Sequence, residues 1–310
     1  MQKFKLTTPV LFMVFNRLDT TKQVFGEIKK AKPQKLFIAC DGPRNTEEKK
    51  KTDAVRSYIL KNISWKCEVK TLFREKNLGC KYAVAGAIDW FFENVEQGII
   101  LEDDCLPSQS FFRFCQEMLE KYSDNPEIMH ISGTNIEIKS KIKEDYFFSN
   151  VFNVWGWATW KRVWKKYDVG MKGWPQYRWT FFKFLRKYPL FNKINTLRIY
   201  ELTYSNKINT WDYQWGFACK INNGLAIIPK VNLITNLGFD EGTHTTNYKK
   251  NEKTLERFKL DFPLNENKIV EPRVNYLKSY LSFFSNFSLF SFYDFFSYLL
   301  KKIFKKLGKF

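Results

Sequence analysis

Five short apolar runs, with polar stretches of helical spacing in the four gaps between them, dominate the first 135 residues. The runs are Val10–Phe15, Leu36–Ala39, Cys67–Phe73, Gly98–Leu101 and Ile128–Ile131. Between them, Thr20–Lys30, Glu47–Lys61, Cys80–Glu93 and Gln109–Tyr122 carry apolar residues at helical intervals. Short buried strands alternating with helices, at roughly 30 residues per unit, imply βαβ units and a mostly parallel sheet flanked by helices. Right-handed crossovers place ligands beyond the carboxyl ends of such strands. Chemistry is therefore sought at Asn16-Arg17, Asp41-Gly42, Glu102-Asp103-Asp104 and Ser132-Gly133-Thr134.

Length and charge narrow the classes. A chain of 310 residues, 44% of them hydrophobic, can bury a sizeable core and is not a disordered polymer. Fifty-one basic residues against 32 acidic ones give a net charge of +19, which attracts phosphate-rich ligands, anionic lipid or nucleic acid. None of the six cysteines stands in C-x-x-C spacing, and with only His130 and His244 a Cys/His zinc site is not expected. Reduced thiols and a cytoplasmic location follow from this reading. The run Val10–Phe15 is too short for a secretion signal and Arg17 ends it. No apolar span of about 18 residues marks a membrane-crossing helix.

The rhythm breaks after residue 135. Eight of the ten tryptophans lie between Trp155 and Trp215, either as core or as a surface for stacking on sugars and bases. His130, inside an apolar strand, reads as a core residue. Residues 251–274 are polar, with Pro263 and Pro272, and read as a linker. Residues 275–310 interleave Phe and Leu with serines and hold six basic residues against one acid. That pattern is expected of a helical tail lying on an anionic membrane surface, the alternative being a helix packed on the protein.

The sharpest local feature is Gly98-Ile99-Ile100-Leu101 running into Glu102-Asp103-Asp104. Adjacent carboxylates repel one another unless a cation is near, and hard divalent ions accept carboxylate oxygens while keeping places for phosphate. An acidic helix-capping turn is the plainer reading of the triplet alone. Arg17 and Asp41, at two other strand ends, suit a phosphate and a ribose or base. Neither G-x-x-x-x-G-K-[ST] nor G-x-G-x-x-G occurs, which removes the ATPase and dinucleotide classes.

The order Pro9–Arg17, Asp41-Gly42, Leu101–Asp104, Trp155-Gly156-Trp157 and Trp211-Asp212 resembles that of GT-A glycosyltransferases, in particular bacterial relatives of the N-acetylglucosaminyltransferase I family. The likeness spans about residues 8–246. It implies a GT-A, Rossmann-like mixed α/β sheet over 1–250, with a nucleotide-binding half at 1–135 and a donor-sugar and acceptor half at 136–250. It implies Asp104 as ligand of Mn2+ or Mg2+. Arg17, Asp41, Glu102 and Asp103 would contact nucleotide or donor sugar. Trp155, Gly156, Trp157 and Trp211 would line the sugar. Asp212, in Trp211-Asp212-Tyr213-Gln214-Trp215, would be the catalytic base, although it also suits a helix cap. His244 stands where a late histidine often approaches the metal, or is simply a loop residue.

The family's histidine that helps hold the nucleotide is replaced near Lys81-Tyr82, and its N-terminal anchor has no counterpart, a role the aromatic tail could take. The expected activity is inverting transfer of a sugar from a UDP-sugar to a hydroxyl of a surface glycan or lipid-linked saccharide, as in lipopolysaccharide or capsule synthesis. Nucleic acid is not an expected partner, because acids cluster at the ligand site. A nucleotide-sugar pyrophosphorylase, or a sugar-binding module without catalysis, is the alternative.

Overall fold

A computed structural model describes residues 4–178, 190–238 and 255–285. Its centre is an eight-stranded sheet in the order β3-β2-β1-β4-β8-β6-β9-β7. The first half follows the sequence rhythm closely. Strands β1 (Val10–Val14), β2 (Lys35–Cys40), β3 (Glu68–Phe73) and β4 (Gln97–Glu102) are joined by helices α1 (Leu18–Ala31), α2 (Thr46–Asn62) and α3 (Gly79–Asn94). All three ladders among these strands are parallel. The five residues of β1 are all buried, which explains an uninterrupted apolar run where a one-sided strand would alternate.

The chain winds outward from β1 through β2 to β3, then crosses back to lay β4 on the other side of β1. Helices α1, α2 and α4 (Gln109–Lys121) pack together over one face, and α3 with the short α5 (Lys161–Trp164) covers the other. A reversal of this kind opens a crevice at the carboxyl ends of the two strands that flank it. Here those strands are β1, ending at Asn16-Arg17, and β4, ending in the acidic triplet.

The second half departs from simple alternation. Strand β6 (Ile128–Ser132) runs in the same sense as β4 but is not its neighbour. Strand β8 (Trp157–Trp160) is wedged between them, antiparallel to both. Strand β9 (Leu225–Pro229) pairs parallel with β6, and β7 (Tyr146–Ser149) closes the edge antiparallel to β9. The sheet is thus mixed, with four of its seven ladders parallel. Sequence rhythm cannot reveal the wedge, because β8 comes after β6 in the chain and lies before it in space.

A separate two-stranded ribbon pairs β5 (Cys105–Pro107) with β10 (Ile234–Asn236). It leaves the sheet directly after the acids and brings a segment from late in the chain onto them. Helices α6 (Leu190–Tyr204) and α7 (Asp212–Ile221) pack beside each other.

Residues 255–273, within the stretch expected to be a linker, lie against the domain. Phe258 N–H donates to Asn232 O, Leu260 N–H donates to Ser110 Oγ, and Leu255 and Leu260 are buried. Helix α8 (Val274–Ser285) follows, and Tyr276 is fully buried, its hydroxyl accepting from Ile136 N–H. The start of the expected tail is therefore a packed helix, while 286–310 fall outside the described residues. Among the described residues no helix is long and apolar enough to cross a membrane.

Candidate active site

The crevice at the β1/β4 reversal is built from the ends of these elements. Asp103 is buried and ties the two strands together: Oδ2 accepts from Phe15 N–H at 3.3 Å, and Oδ1 accepts from Arg17. Arg17 Nη2 also donates to Asp104 Oδ2 at 2.9 Å. Burial works against the charge on Arg17, but the two carboxylates outweigh it and hold the guanidinium firmly protonated. Glu102 and Asp104 stay half-buried. Loss of hydration, followed by repulsion from Asp104, Asp103 and Asp212, pushes the Glu102 carboxyl well above the usual range. One guanidinium does not balance this many acids.

The opposite wall comes from α3, the preceding turn and the loop before α7. Asn209 Oδ1 accepts from Lys81 N–H at 3.3 Å, and Asn206 Oδ1 accepts from the buried Lys81 ammonium at 2.7 Å. These bonds dock the 206–212 segment on the start of α3 and bring Asp212 toward the acids. Asp212 is the first residue of α7. Its Oδ1 accepts from Tyr213 N–H at 2.9 Å and from the Thr210 hydroxyl. No hydrogen bond among the described residues reaches its Oδ2.

Cys80, in the first turn of α3, reports on the same crevice. Shielding of its thiol, then the carboxylates of Glu102, Asp212, Asp104 and Asp41, push its pKa up to about 12. Nothing in the sequence singled Cys80 out; a lone cysteine carries no spacing signal.

Asp41, expected at the nucleotide, is engaged by backbone. Its carboxylate accepts from Leu78, Gly79 and Gly42 N–H, all within 3.1 Å, and so caps the start of α3. Ser132-Gly133-Thr134 is a correction: it does not reach the crevice. Ser132 and Thr134 are fully buried, and their hydroxyls donate to the backbone of Thr134 and Trp155.

The tryptophans divide the same way. Trp157 is buried between His130, at 5.2 Å between ring centres, and Trp211, at 5.8 Å, with Trp215 against its edge. At 1% exposure Trp157 offers no face to a sugar, and Trp211, 3% exposed, is core as well. His130 is satisfied on both nitrogens, by Asn153 O at 2.9 Å and by Trp215 Nε1 at 3.2 Å. Gly156 serves packing rather than ligand approach. It sits at φ +62°, and a Cβ there would stand 2.5 Å from Ile234 Cδ1 on β10. Of these four residues, Trp155 alone keeps an accessible side chain, being half-buried. His244 lies outside the described residues.

Whether this donor set suits a divalent cation turns on Asp104. Gly238, brought over by β10, approaches its carboxylate so closely that a Cβ at 238 would stand 2.5 Å from Oδ2. The bare glycine lets the backbone pack against that oxygen. Among the described residues no group of three or more His, Cys, Asp or Glu could hold a metal ion by itself. The chemistry of the donor set, carboxylate oxygens on the half-buried Glu102 and Asp104, is the kind a hard cation takes when phosphate and water supply the rest of its shell.

No protein-family model matches the chain, and no curated protein matches it. Partial likeness to solved structures does occur. The mannosyltransferase PcManGT from Pyrobaculum calidifontis, in complex with GDP-Man and Mn2+, aligns at 12% identity and a TM-score of 0.39, over 54% of this chain and 48% of its own. The chain thus spans about half the length of that protein. A UDP-glucose pyrophosphorylase complexed with UDP-glucose aligns at 10% identity and a TM-score of 0.41, over 76% of this chain and 95% of its own. Mouse xyloside xylosyltransferase 1 in its apo form aligns at 10% identity and a TM-score of 0.33, over 69% and 81%.

Proposed function

We propose that the protein is an inverting, divalent-cation-dependent glycosyltransferase of GT-A type. It moves a sugar from a nucleoside diphosphate, UDP first among the candidates, to a hydroxyl of a surface glycan or lipid-linked saccharide. The observation that supports this reading is the meeting of Glu102, Asp104 and Asp212 in one crevice at the β1/β4 reversal.

Asp104 would hold Mn2+ or Mg2+ together with the donor's phosphates. When bound, such a cation neutralises the charge that builds on the departing diphosphate. The chain's own side chains account for the rest. Asp103 locks the ends of β1 and β4 in register, and Arg17 supplies a phosphate contact. Asp212 has one oxygen fixed by Thr210 and Tyr213, which leaves Oδ2 as the atom that would take the proton of the acceptor hydroxyl. As that proton moves to Asp212, the acceptor oxygen bonds to the anomeric carbon from the face opposite the phosphate. The bond to the phosphate oxygen breaks, and the configuration inverts.

A panel of nucleotide sugars assayed with and without Mn2+ tests the reading. Asp104→Ala is expected to abolish transfer and to weaken Mn2+-dependent UDP binding. Asp212→Asn is expected to lower kcat by about 10²–10⁴-fold and to leave UDP binding unchanged. A product with retained anomeric configuration, or normal turnover by Asp212→Asn, overturns the mechanism. Peripheral attachment at the inner face of the cytoplasmic membrane, through the basic tail, is part of the proposal. Truncation after Ser285 should abolish co-sedimentation with phosphatidylglycerol vesicles, and unchanged binding would refute that part.

A further inference from the structure

Both oxygens of Asp104 are already engaged. Oδ1 accepts from the Cys105 thiol at 3.4 Å, and Oδ2 accepts from Arg17 Nη2 at 2.9 Å. The two partners differ in their freedom to leave. Cys105 is 1% exposed and belongs to β5, whose backbone is held by β10. Arg17 precedes α1, and its side chain is 29% exposed. Oδ2, the oxygen Arg17 holds, is also flanked closely by the backbone of Gly238. A cation approaching from solvent meets the partly exposed guanidinium before the buried thiol.

We infer that Arg17 is a built-in counter-ion on the very oxygen that the divalent cation takes, so that metal and nucleotide enter together. This rests on the glycosyltransferase reading above. A metal arriving alone must evict Arg17 from Asp104 and offers it no new anion. Asp103 keeps a partial hold on the guanidinium and draws it back. A metal arriving with a diphosphate brings phosphate oxygens, which suit the planar fork of a guanidinium. The exchange is then cation for cation on Asp104, and carboxylate for phosphate on Arg17. Cys105 holds Oδ1 throughout, so the carboxylate keeps its orientation while its partner changes.

The consequence is a positive coupling between Mn2+ and UDP that runs through one side chain. Such couplings are reciprocal, and about 5- to 150-fold is a usual size. Mn2+ binding is followed by the electron paramagnetic resonance signal of free Mn2+, with and without UDP, on the full chain. Thermal melts check that each variant folds. Wild type should bind Mn2+ weakly alone and about tenfold or more tightly with UDP. Arg17→Gln should bind Mn2+ alone about tenfold more tightly than wild type and lose most of the UDP effect.

Arg17→Lys, which keeps a positive charge without the fork, should bind Mn2+ alone as weakly as wild type; if Arg17→Gln does not fold, a weaker UDP effect in Arg17→Lys carries the test. If wild type shows the UDP effect and Arg17→Gln binds Mn2+ alone no better than wild type, the counter-ion role is refuted and the glycosyltransferase reading stands. If wild type takes up no Mn2+ even with UDP, that reading falls and the inference falls with it.

Discussion

Acid should weaken this protein through His130, by an amount the structure sets. The ring is fully buried, stacked on Trp157, and bonded on both nitrogens in its neutral form. Burial lowers its pKa from 6.5 to about 3, and the bond to Asn153 O offsets this only in part. Below pH 6.5 the unfolded chain binds a proton that the folded chain refuses. Stability is therefore fully present above pH 6.5 and declines as pH falls toward 3.

At about 1.36 kcal/mol per pKa unit, the loss from this one group is about 2 kcal/mol at pH 5 relative to pH 8. Other groups titrate over the same range, so the quantity to measure is a difference. Urea unfolding of wild type and His130→Gln at pH 8 and pH 5 isolates the histidine, because glutamine can fill both hydrogen bonds and does not titrate. Wild type should lose about 2 kcal/mol more than the variant between the two pH values. Equal losses in the two proteins would show that His130 protonates in the folded state, and the account of the tryptophan cluster as a dry core would fail.

Gly156→Ala forces a side chain to φ +62° and into Ile234, and should cost about 2–5 kcal/mol in urea unfolding; Ile234→Val in that background should recover part of it, and additive losses would refute the clash. Gly238→Ala puts a Cβ 2.5 Å from Asp104 Oδ2 and must push that carboxylate aside, so it should weaken Mn2+-dependent UDP binding by about tenfold or more in calorimetry; unaltered binding would refute that geometry.

Much of the first half was legible because β1, β2 and β4 are buried on both faces and each helix shows its stripe. All five expected strands and four expected helices lie within a residue or two of their sequence limits, and the end of β4 carries the acids at the reversal. The second half obeys contacts that no local pattern records. Trp157 and Ser132 look like site residues in one dimension, because a tryptophan beside a glycine and a serine at a strand end are common ligand contacts. In space β8 is wedged beside β6, and both residues turn inward. Asp41 looks free in sequence, yet it meets the amide groups of Leu78 and Gly79, which only the β3–α3 turn brings near. Gly238 and Cys105 could not have been found, since their meaning lies in what approaches them.

The ribbon of β5 and β10 also fixes when the crevice can exist. Synthesis delivers Glu102, Asp103 and Asp104 early, on a strand that already has β1 to lie against. Leu237 N–H donates to Asp104 O and Ile234 pairs with Pro107, so the strand that pins the acids is made last of all the sheet's partners. Pairings this distant in the chain form slowly, because the intervening loop must close first. A nascent chain on the ribosome therefore passes through a stage in which β1 to β4 can pair while the ribbon over the acids is still unmade.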